Sequence, residues 1–314
     1  MINLTWRSGR NMWARIVERP GQLLPSEDLA QLLADLRTVA SQTLKADELE
    51  YGVLGGDQAR LNNCVITVIY QSDSPKGVRR PVAFNVLSLL DAQLANRPTQ
   101  VMHLGLVMVD PQVRGHGLSA TLYGLTCVLM FLTGQGRPMW ISNVTQVPAV
   151  AGMVAETFSN VFPSPRPDAR RSFEHLSLGR QIMANHRAAF GVGHEAGFDE
   201  GRFVITNAYT GGSDALKKSF DQASKHRKSA YNEFCQQQLD YDRGDDLIQI
   251  GRIDMTAAGQ YLRKVAPPTT AIGLTGLVLL MGARMALLPL IHWLSPNRAW
   301  GVLRPAKMTP KATT

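Results

Sequence analysis

Apolar and polar positions along the first half of the chain follow two different periods. Leucines recur at helical spacing over residues 29–36, and Ser26 stands where such a helix would begin. Residues 64–70 and 81–87 are β-branched runs about one strand long, and the polar stretch between them predicts a hairpin. Residues 103–109 predict a third, almost entirely apolar strand, as is typical of the centre of a sheet.

The alternation continues after a glycine-rich turn. Residues 118–132 predict a long apolar helix, residues 139–142 a strand and residues 147–158 another helix. Strands and helices that alternate in this way predict an α/β fold with a mixed central sheet flanked by helices.

Beyond residue 163 the pattern changes. Residues 163–167 contain three prolines, which predicts a stiff, extended connector. Residues 174–190 predict a helix and residues 203–206 a strand. Residues 214–239 predict a long amphipathic helix, with an apolar stripe and lysines and arginines on the remaining surface.

Residues 269–294 form the most apolar segment. Their number suffices to cross a bilayer, which takes about 20 apolar residues. Arg284 lies near the middle of this segment. Inserting a basic residue at mid-bilayer costs about 3 kcal/mol, and the gain from inserting the surrounding apolar residues does little more than balance that cost. We therefore expect a membrane-associated segment that either spans the bilayer or lies shallowly in it. The predicted parts are a core (1–165), an α/β extension with the long amphipathic helix (166–266), the hydrophobic membrane segment (267–295) and a basic tail (296–314).

Composition narrows the classes of partner. The formal net charge of +8 over 314 residues suits nucleic acid, an anionic membrane or a polyanionic ligand. No helix-turn-helix, zinc-finger or RNP-like pattern accompanies it, so a nucleic-acid partner is not expected. Cys64, Cys127 and Cys235 are far apart, which argues against disulfides and a zinc site and favours a cytosolic setting. No apolar run follows the first basic residues, so no secretory signal peptide is expected.

Residues 109–118 contain the clearest chemical signal, Val-Asp-Pro-Gln-Val-Arg-Gly-His-Gly-Leu, between an apolar strand and a helix. Glycines let an anion approach the backbone closely, and successive N–H groups then point at it. The start of the following helix adds its positive end to the same site. The pattern predicts a site for a pyrophosphate-like group.

The run Gln112-Val113-Arg114-Gly115-His116-Gly117 resembles the Q/R-x-x-G-x-G/A signature of the GNAT N-acyltransferase superfamily. The resemblance covers about residues 25–165. It implies a GNAT-like fold with acyl-CoA or acetyl-CoA as donor substrate and no metal. It also implies that one strand binds the pantetheine arm, that the loop holds the pyrophosphate and that the next strand touches the arm. The CoA-binding residues implied are Val107, Met108, Val109, Gln112, Val113, Arg114, Gly115, His116, Gly117, Leu118, Ser119, Ala120 and Asn143.

The catalytic residues depart from the family pattern. Many GNAT relatives have a glutamate on the strand before the motif and a tyrosine in the helix after the next strand. Here that strand offers only His103, whose side chain suits a general base near neutrality, although a hydrogen-bonded structural role is the alternative. The helix has Glu156-Thr157-Phe158 where the tyrosine is expected. Glu156 is the second catalytic candidate, and a solvated helix face is its alternative.

The resulting prediction is a CoA-dependent N-acyltransferase that acylates an amine at the cytoplasmic face of a membrane. We expect this membrane to be a bacterial inner membrane. A lipid or long-chain substrate would explain the membrane segment, as in the GNAT-like enzymes proposed to make ceramides in bacterial sphingolipid metabolism. The apolar side chains of helix 118–132 either form core or line a tunnel for a long acyl chain. Two alternatives stay open: an acetyltransferase of a small amine or a protein, and a membrane-bound acetyl-CoA sensor with a degenerate site.

Overall fold

The computed structural model describes residues 1–9, 11–44, 52–74, 77–114, 117–134, 136–210 and 216–264, with isolated positions between 276 and 290. The chain divides into two compact units, Met1–Ala266 and Pro267–Thr314. The described part of the first unit forms one mixed sheet of eleven strands with helices on both faces.

The strands, in chain order, are β1 (Asn3–Gly9), β2 (Met12–Glu18), β3 (Cys64–Gln71), β4 (Arg80–Leu94), β5 (Arg97–His103), β6 (Val107–Val109), β7 (Met139–Thr145), β8 (Ser159–Phe162), β9 (Gly197–Asp199), β10 (Val204–Thr206) and β11 (Asp246–Ile253). The helices are α1 (Pro20–Leu23), α2 (Ser26–Ala40), α3 (Gln58–Leu61), α4 (Leu118–Thr133), α5 (Pro148–Thr157), α6 (Phe173–Asn185), α7 (Ser229–Gln238) and α8 (Met255–Lys264). Short 3-10 turns span Pro111–Val113 and Arg187–Phe190.

The sheet order is β1-β2-β3-β4-β5-β7-β11-β10-β9, with β6 paired to β4 and β8 paired to β11. Within the described residues every strand pair is antiparallel except β5 and β7. Because β11 lies directly beside β7, residues 166–264 extend the same sheet rather than building a second one. The boundary at Ala266 and Pro267 coincides with the start of the predicted hydrophobic segment.

The two faces of the sheet bury different helices. The first face is the one that carries Phe84 and Ile248, and α2 and α6 pack on it. The second face carries Ala83 and Leu247, and α4, α5 and α7 pack on it. The assignment follows from strand geometry, since successive side chains point to opposite faces.

Several predicted elements are confirmed. The leucine-rich helix is α2, although Ser26 is its first residue and makes no side-chain cap. The hairpin is β3 and β4, which pair antiparallel. The next helix, strand and helix are α4, β7 and α5 within a few residues of their expected ends. The mixed α/β architecture is confirmed with them.

The prediction of one long amphipathic helix over residues 214–239 was wrong. Within the described part of this range α7 is the only α-helix, and residues 217–228 are irregular, with a turn at residues 220–222. Tertiary contacts stabilise this shape. The Asn232 side chain accepts from the backbone N–H of His226 at 2.8 Å and donates to its carbonyl at 3.0 Å. The His226 ring lies against Gly152 of α5 and edge-on to Tyr231, at 4.7 Å between ring centroids.

The predicted membrane segment lies mostly outside the described residues. Among those that are described, no helix is both long and apolar enough to cross a bilayer. The membrane association of residues 269–294 therefore stays a prediction.

Candidate acyl-CoA site

The predicted strand over residues 103–109 is broken at residues 104–106. Up to this break β5 runs parallel to β7, and the last contact is a hydrogen bond of 2.7 Å from the Leu104 N–H to the Ser142 carbonyl. Beyond it β6 pairs only with β4, while β7 continues beside β11. β6 and residues 143–145 of β7 therefore diverge, and we call the opening between them the splay.

Gly105 makes the break possible. A Cβ atom at this position would stand 2.7 Å from the carbonyl oxygen of Val86 on β4, closer than real Cβ contacts allow. The Leu106 carbonyl accepts from the Val86 N–H at 2.8 Å, so β6 stays attached to β4 immediately after the break. A residue with a side chain at position 105 would push β6 away from β4.

One edge of β6 faces the splay. Leu106 and Asp110 direct backbone groups to β4, as the bond of 2.8 Å from the Asp110 N–H to the Val82 carbonyl shows. In an antiparallel pair alternate residues point their backbone groups to opposite sides, so those of Val107 and Val109 point into the splay. Met108, between them, packs its side chain into the core under α2. This edge suits an extended ligand with amide groups, which would pair with it as an added strand.

Asp110 holds the turn that follows β6. Its carboxylate is buried, at 2% exposure, and accepts from the Gln112 backbone N–H at 2.9 Å. Its other oxygen accepts from the Arg80 guanidinium at 2.6 Å. The sequence analysis did not assign these two residues a role. An Asp-Pro pair after a strand is the signal that would have found the first of them.

Gly117 ends the loop and caps α4. Its φ is +69°, in the left-handed region, and apart from its chain neighbours no atom of the described residues lies within 4 Å of the place a Cβ would take. The first N–H groups of α4, on Leu118, Ser119 and Ala120, have no acceptor within the helix and carry its positive end. Arg114, three residues before Gly117 in the chain, is exposed, and its Nε lies 3.3 Å from the Val109 carbonyl oxygen. This geometry suits an anionic group; Gly115 and His116 of the predicted set lie outside the described residues.

Asp110→Ala should weaken CoA binding about tenfold, because the turn loses both its cap and its tie to Arg80. The free energy of unfolding should fall by about 1–3 kcal/mol. Calorimetric titration of the folded variant with CoA measures the effect. Asp57→Ala is the matched control, since Asp57 caps α3 through Ala59 and contacts an arginine in the same way. Equal CoA affinity in the two variants would show that the turn does not form the site.

His103 lies at the end of β5 on the first face, 3% exposed. Its Nδ1 is 3.0 Å from the Ser142 hydroxyl, and its ring stacks on Phe190 at 4.9 Å between centroids. Burial, with a smaller effect of His186, lowers the pKa of His103 to about 4. The ring is therefore neutral at physiological pH. Its role as general base stays a prediction.

Glu156 lies elsewhere. It is on α5, which packs on the second face, whereas His103 is on the first, so the two catalytic candidates do not come together. Its carboxylate contacts Lys228 at 2.5 Å and Arg227 at 3.1 Å. Burial acts to raise the pKa of Glu156, but the hydrogen bonds from Lys228 and Arg227 outweigh this effect and hold the pKa below its usual value. The carboxylate is thus ionised and paired in a surface cluster.

Asn143 is buried on β7, at 2% exposure, and its side-chain amide donates to Gln249 on β11 at 3.2 Å. Gln249 in turn donates to the carbonyls of Ala151 and Pro163. Contact of Asn143 with the pantetheine arm stays a prediction, and the structure shows it joining two strands and α5.

Tyr123 is the residue that the sequence analysis missed. It lies on α4, and its hydroxyl donates to the Gly105 carbonyl at 2.8 Å, at the break between β5 and β6. From the sequence it is indistinguishable from the buried residues around it on a long apolar helix. Only the break in the strand gives its hydroxyl a place in the site.

Among the residues that are described, no group of three or more His, Cys, Asp or Glu side chains is arranged to hold a metal ion. The acidic run after α7 forms a turn instead. Asp245 is paired with Arg243 through two bonds of 2.6 and 2.7 Å, and Asp240 accepts from two backbone N–H groups of the turn.

No family model and no curated protein matches the chain. Among solved structures it is similar to a GNAT family acetyltransferase from Brucella melitensis in complex with acetyl-CoA, at 17% identity over 42% of this chain and 76% of that one, with a TM-score of 0.28. It is also similar to a GCN5-related N-acetyltransferase from Kribbella flavida, at 15% identity over 47% of this chain and 34% of that one, with a TM-score of 0.30. A structure from Desulfovibrio desulfuricans, described as an acetyltransferase of the GNAT family, matches at 12% identity over 77% of this chain and 98% of that one, with a TM-score of 0.30. At these values the likeness by itself assigns neither activity nor substrate.

Proposed function

We infer that this protein is a CoA-dependent N-acyltransferase of the GNAT type. The observation that carries the inference is the splay: an edge of β6 that no described strand pairs with leads directly to a capped turn and to the start of α4. An acyl-CoA has matching parts in the same order. Its pantetheine amides suit the edge of Val107 and Val109, and its pyrophosphate suits Gly117 and the first turn of α4.

The chemistry is an addition followed by an elimination. The neutral amine attacks the thioester carbonyl carbon, the C–N bond forms and the C–S bond breaks. The proton that the nitrogen loses on forming the amide goes to the departing sulfur, so CoA leaves as its thiol. The Val107 N–H points into the splay and is placed to stabilise the oxyanion. The ammonium proton must leave before attack, and His103 is the side chain that we assign to accept it. Most of the rate then comes from orientation of the two substrates.

For the acceptor we propose a lipid-like amine at a membrane surface. The support is the apolar composition of residues 269–294, together with Leu106, which is 40% exposed at the break in the strand. Met108 points its side chain to the first face of the sheet, and side chains two residues apart point to the same face. Leu106 therefore lies on the first face, beside the splay. An exposed apolar side chain at this point suits an acceptor with a hydrocarbon part. A cytosolic CoA donor would place the domain on the cytoplasmic side.

A sensor of acetyl-CoA is the second candidate. Two observations favour it: His103 is covered by Phe190, and Glu156 is paired with two cations. Such a protein would bind CoA thioesters without turning them over.

Binding and turnover measurements on the purified full-length protein in lipid vesicles distinguish these functions. We expect calorimetry to show binding of CoA, and thiol release from acetyl-CoA to accelerate on adding a long-chain amine but much less on adding a short polyamine. Faster turnover with the polyamine would instead indicate a conventional acetyltransferase. Binding without turnover for any amine would indicate the sensor, and absence of CoA binding would refute the assignment. A comparison of lipids in cells with and without the protein then identifies the product.

A further inference from the structure

Tyr123 occupies the closed end of the splay. Its hydroxyl donates to the Gly105 carbonyl at 2.8 Å, and Gly105 is the middle residue of the break. The side chain is buried, at 8% exposure. The Leu104 N–H still bonds the Ser142 carbonyl, so β5 and β7 are joined immediately behind this point. A ligand that follows the edge of β6 toward the break therefore meets the tyrosine.

Hydrogen bonds between α4 and the sheet hold Tyr123 in position. Three residues further along α4, the Thr126 hydroxyl lies 2.6 Å from the Thr67 hydroxyl of β3 and accepts from the Asn85 side chain of β4 at 3.1 Å. The same hydroxyl donates to the Leu122 carbonyl at 2.8 Å. These bonds fix the helix against the sheet both along its axis and in rotation. Tyr123 cannot move away from the break by a shift of α4 without breaking a buried polar cluster.

The Tyr123 hydroxyl remains a hydrogen-bond donor at neutral pH, because burial, with a smaller effect of Cys127, raises the pKa of Tyr123.

The side chains of α4 that were candidates for a tunnel lining are buried in this structure. They are Leu125, Val128, Leu129, Met130 and Phe131. An acyl chain that lined up against these side chains beyond Tyr123 would have to displace buried core.

We propose that the Tyr123 ring restricts the acyl donor to short chains of about acetyl size. The proposal rests on the proposed function, because it places the pyrophosphate at Gly117 and the thioester near the Val107 N–H. With these two ends placed, the acyl carbons beyond the carbonyl point to the closed end of the splay. A two-carbon group ends in front of the ring, whereas an eight-carbon group would have to displace it. The hydrocarbon partner of the reaction is then the amine, and the donor is small.

Competitive calorimetry with acetyl-CoA and octanoyl-CoA on the full-length protein tests the proposal. We expect wild type to bind octanoyl-CoA at least about tenfold more weakly than acetyl-CoA. Tyr123→Ala should shift this ratio by about tenfold or more toward octanoyl-CoA, because the ring is gone. Tyr123→Phe should keep the wild-type preference, since the ring remains and only the bond to Gly105 is lost. Tyr231→Ala, which removes a buried ring on α7, controls for general loosening and should leave the ratio unchanged.

Equal affinity of wild type for both thioesters would overturn the proposal, as would an unchanged ratio in folded Tyr123→Ala. If that variant does not fold, Tyr123→Leu is the substitute, and a shift toward octanoyl-CoA is again required. Failure of wild type to bind CoA itself would refute the proposed function instead. The two failures are thus distinguishable.

Discussion

Gly117→Val should abolish measurable CoA binding, with an affinity loss of at least about 100-fold. The φ of +69° admits glycine readily, and a β-branched residue there costs about 1–3 kcal/mol of folding free energy. The larger effect is on the ligand. A side chain at this position projects into open space at the start of α4, where the phosphate oxygens must approach the backbone N–H groups. Calorimetric titration with CoA measures the loss.

The other end of the same helix supplies the control. Gly136 has a φ of +67°, and a Cβ there would only touch Phe131 at 3.8 Å. Gly136→Val therefore introduces the same backbone strain away from the site, and its CoA affinity should equal that of wild type. Unchanged CoA affinity in folded Gly117→Val would mean that the phosphates bind elsewhere.

His103→Ala should lower the turnover rate by about 100-fold while changing donor affinity little. The structure adds a pH profile to this expectation. Because the pKa is lowered to about 4, His103 is unprotonated throughout the neutral range and can accept a proton there. The wild-type rate should be flat from about pH 6 to 8 and fall only on approach to pH 4. Steady-state rates across this range measure both effects.

A second buried histidine makes the matched control. His175 is fully buried at the start of α6, where its ring bonds Ser172 and the Asn160 carbonyl. His175→Gln should reduce stability but keep the rate per folded molecule. If His103→Ala also keeps most of its rate, the proton leaves by another route, and a chain of water molecules becomes the candidate, since Glu156 is paired with Lys228 and Arg227. In that case the hydrogen bond from His103 to Ser142 is structural.

The central strands and helices of the fold could be predicted because their patterns are strong and local. α2, α4 and α5 are long enough to show helical periodicity, and β3 is a β-branched run with both ends marked by polar residues. The edge strands could not. β1 is largely exposed, and β2 does not alternate strictly between buried and exposed positions, so neither shows the two-residue period.

Longer-range pairing explains the other differences. β11 begins at Asp246, directly after Asp245, and aspartate disfavours a strand, yet β11 lies between β7 and β10. The buried Asp246 there accepts from the Tyr209 hydroxyl at 3.1 Å, and burial raises its pKa to about 7. Conversely, residues 216–228 have apolar residues at helical spacing, but residues 217–228 are irregular, because contacts with α5 and α7 hold them in a non-helical conformation. Local preference amounts to a few tenths of a kcal/mol per residue, and tertiary contacts outweigh it.

The sequence by itself determined the loop for which we propose phosphate binding, because Gln112 through Gly117, between an apolar strand and a helix, already supply glycines, backbone donors and a helix start at one place. Tertiary structure alone decided where the opening proposed for the thioester lies. The break at Gly105 arises because β4 can hold β6 while β7 follows β11, and that choice depends on strands far apart in the chain. It also decided that Tyr123 reaches the break, that His103 is covered by Phe190, and that Glu156 pairs with Lys228 and Arg227. A local pattern records which side chains are buried, but not which partner each of them meets.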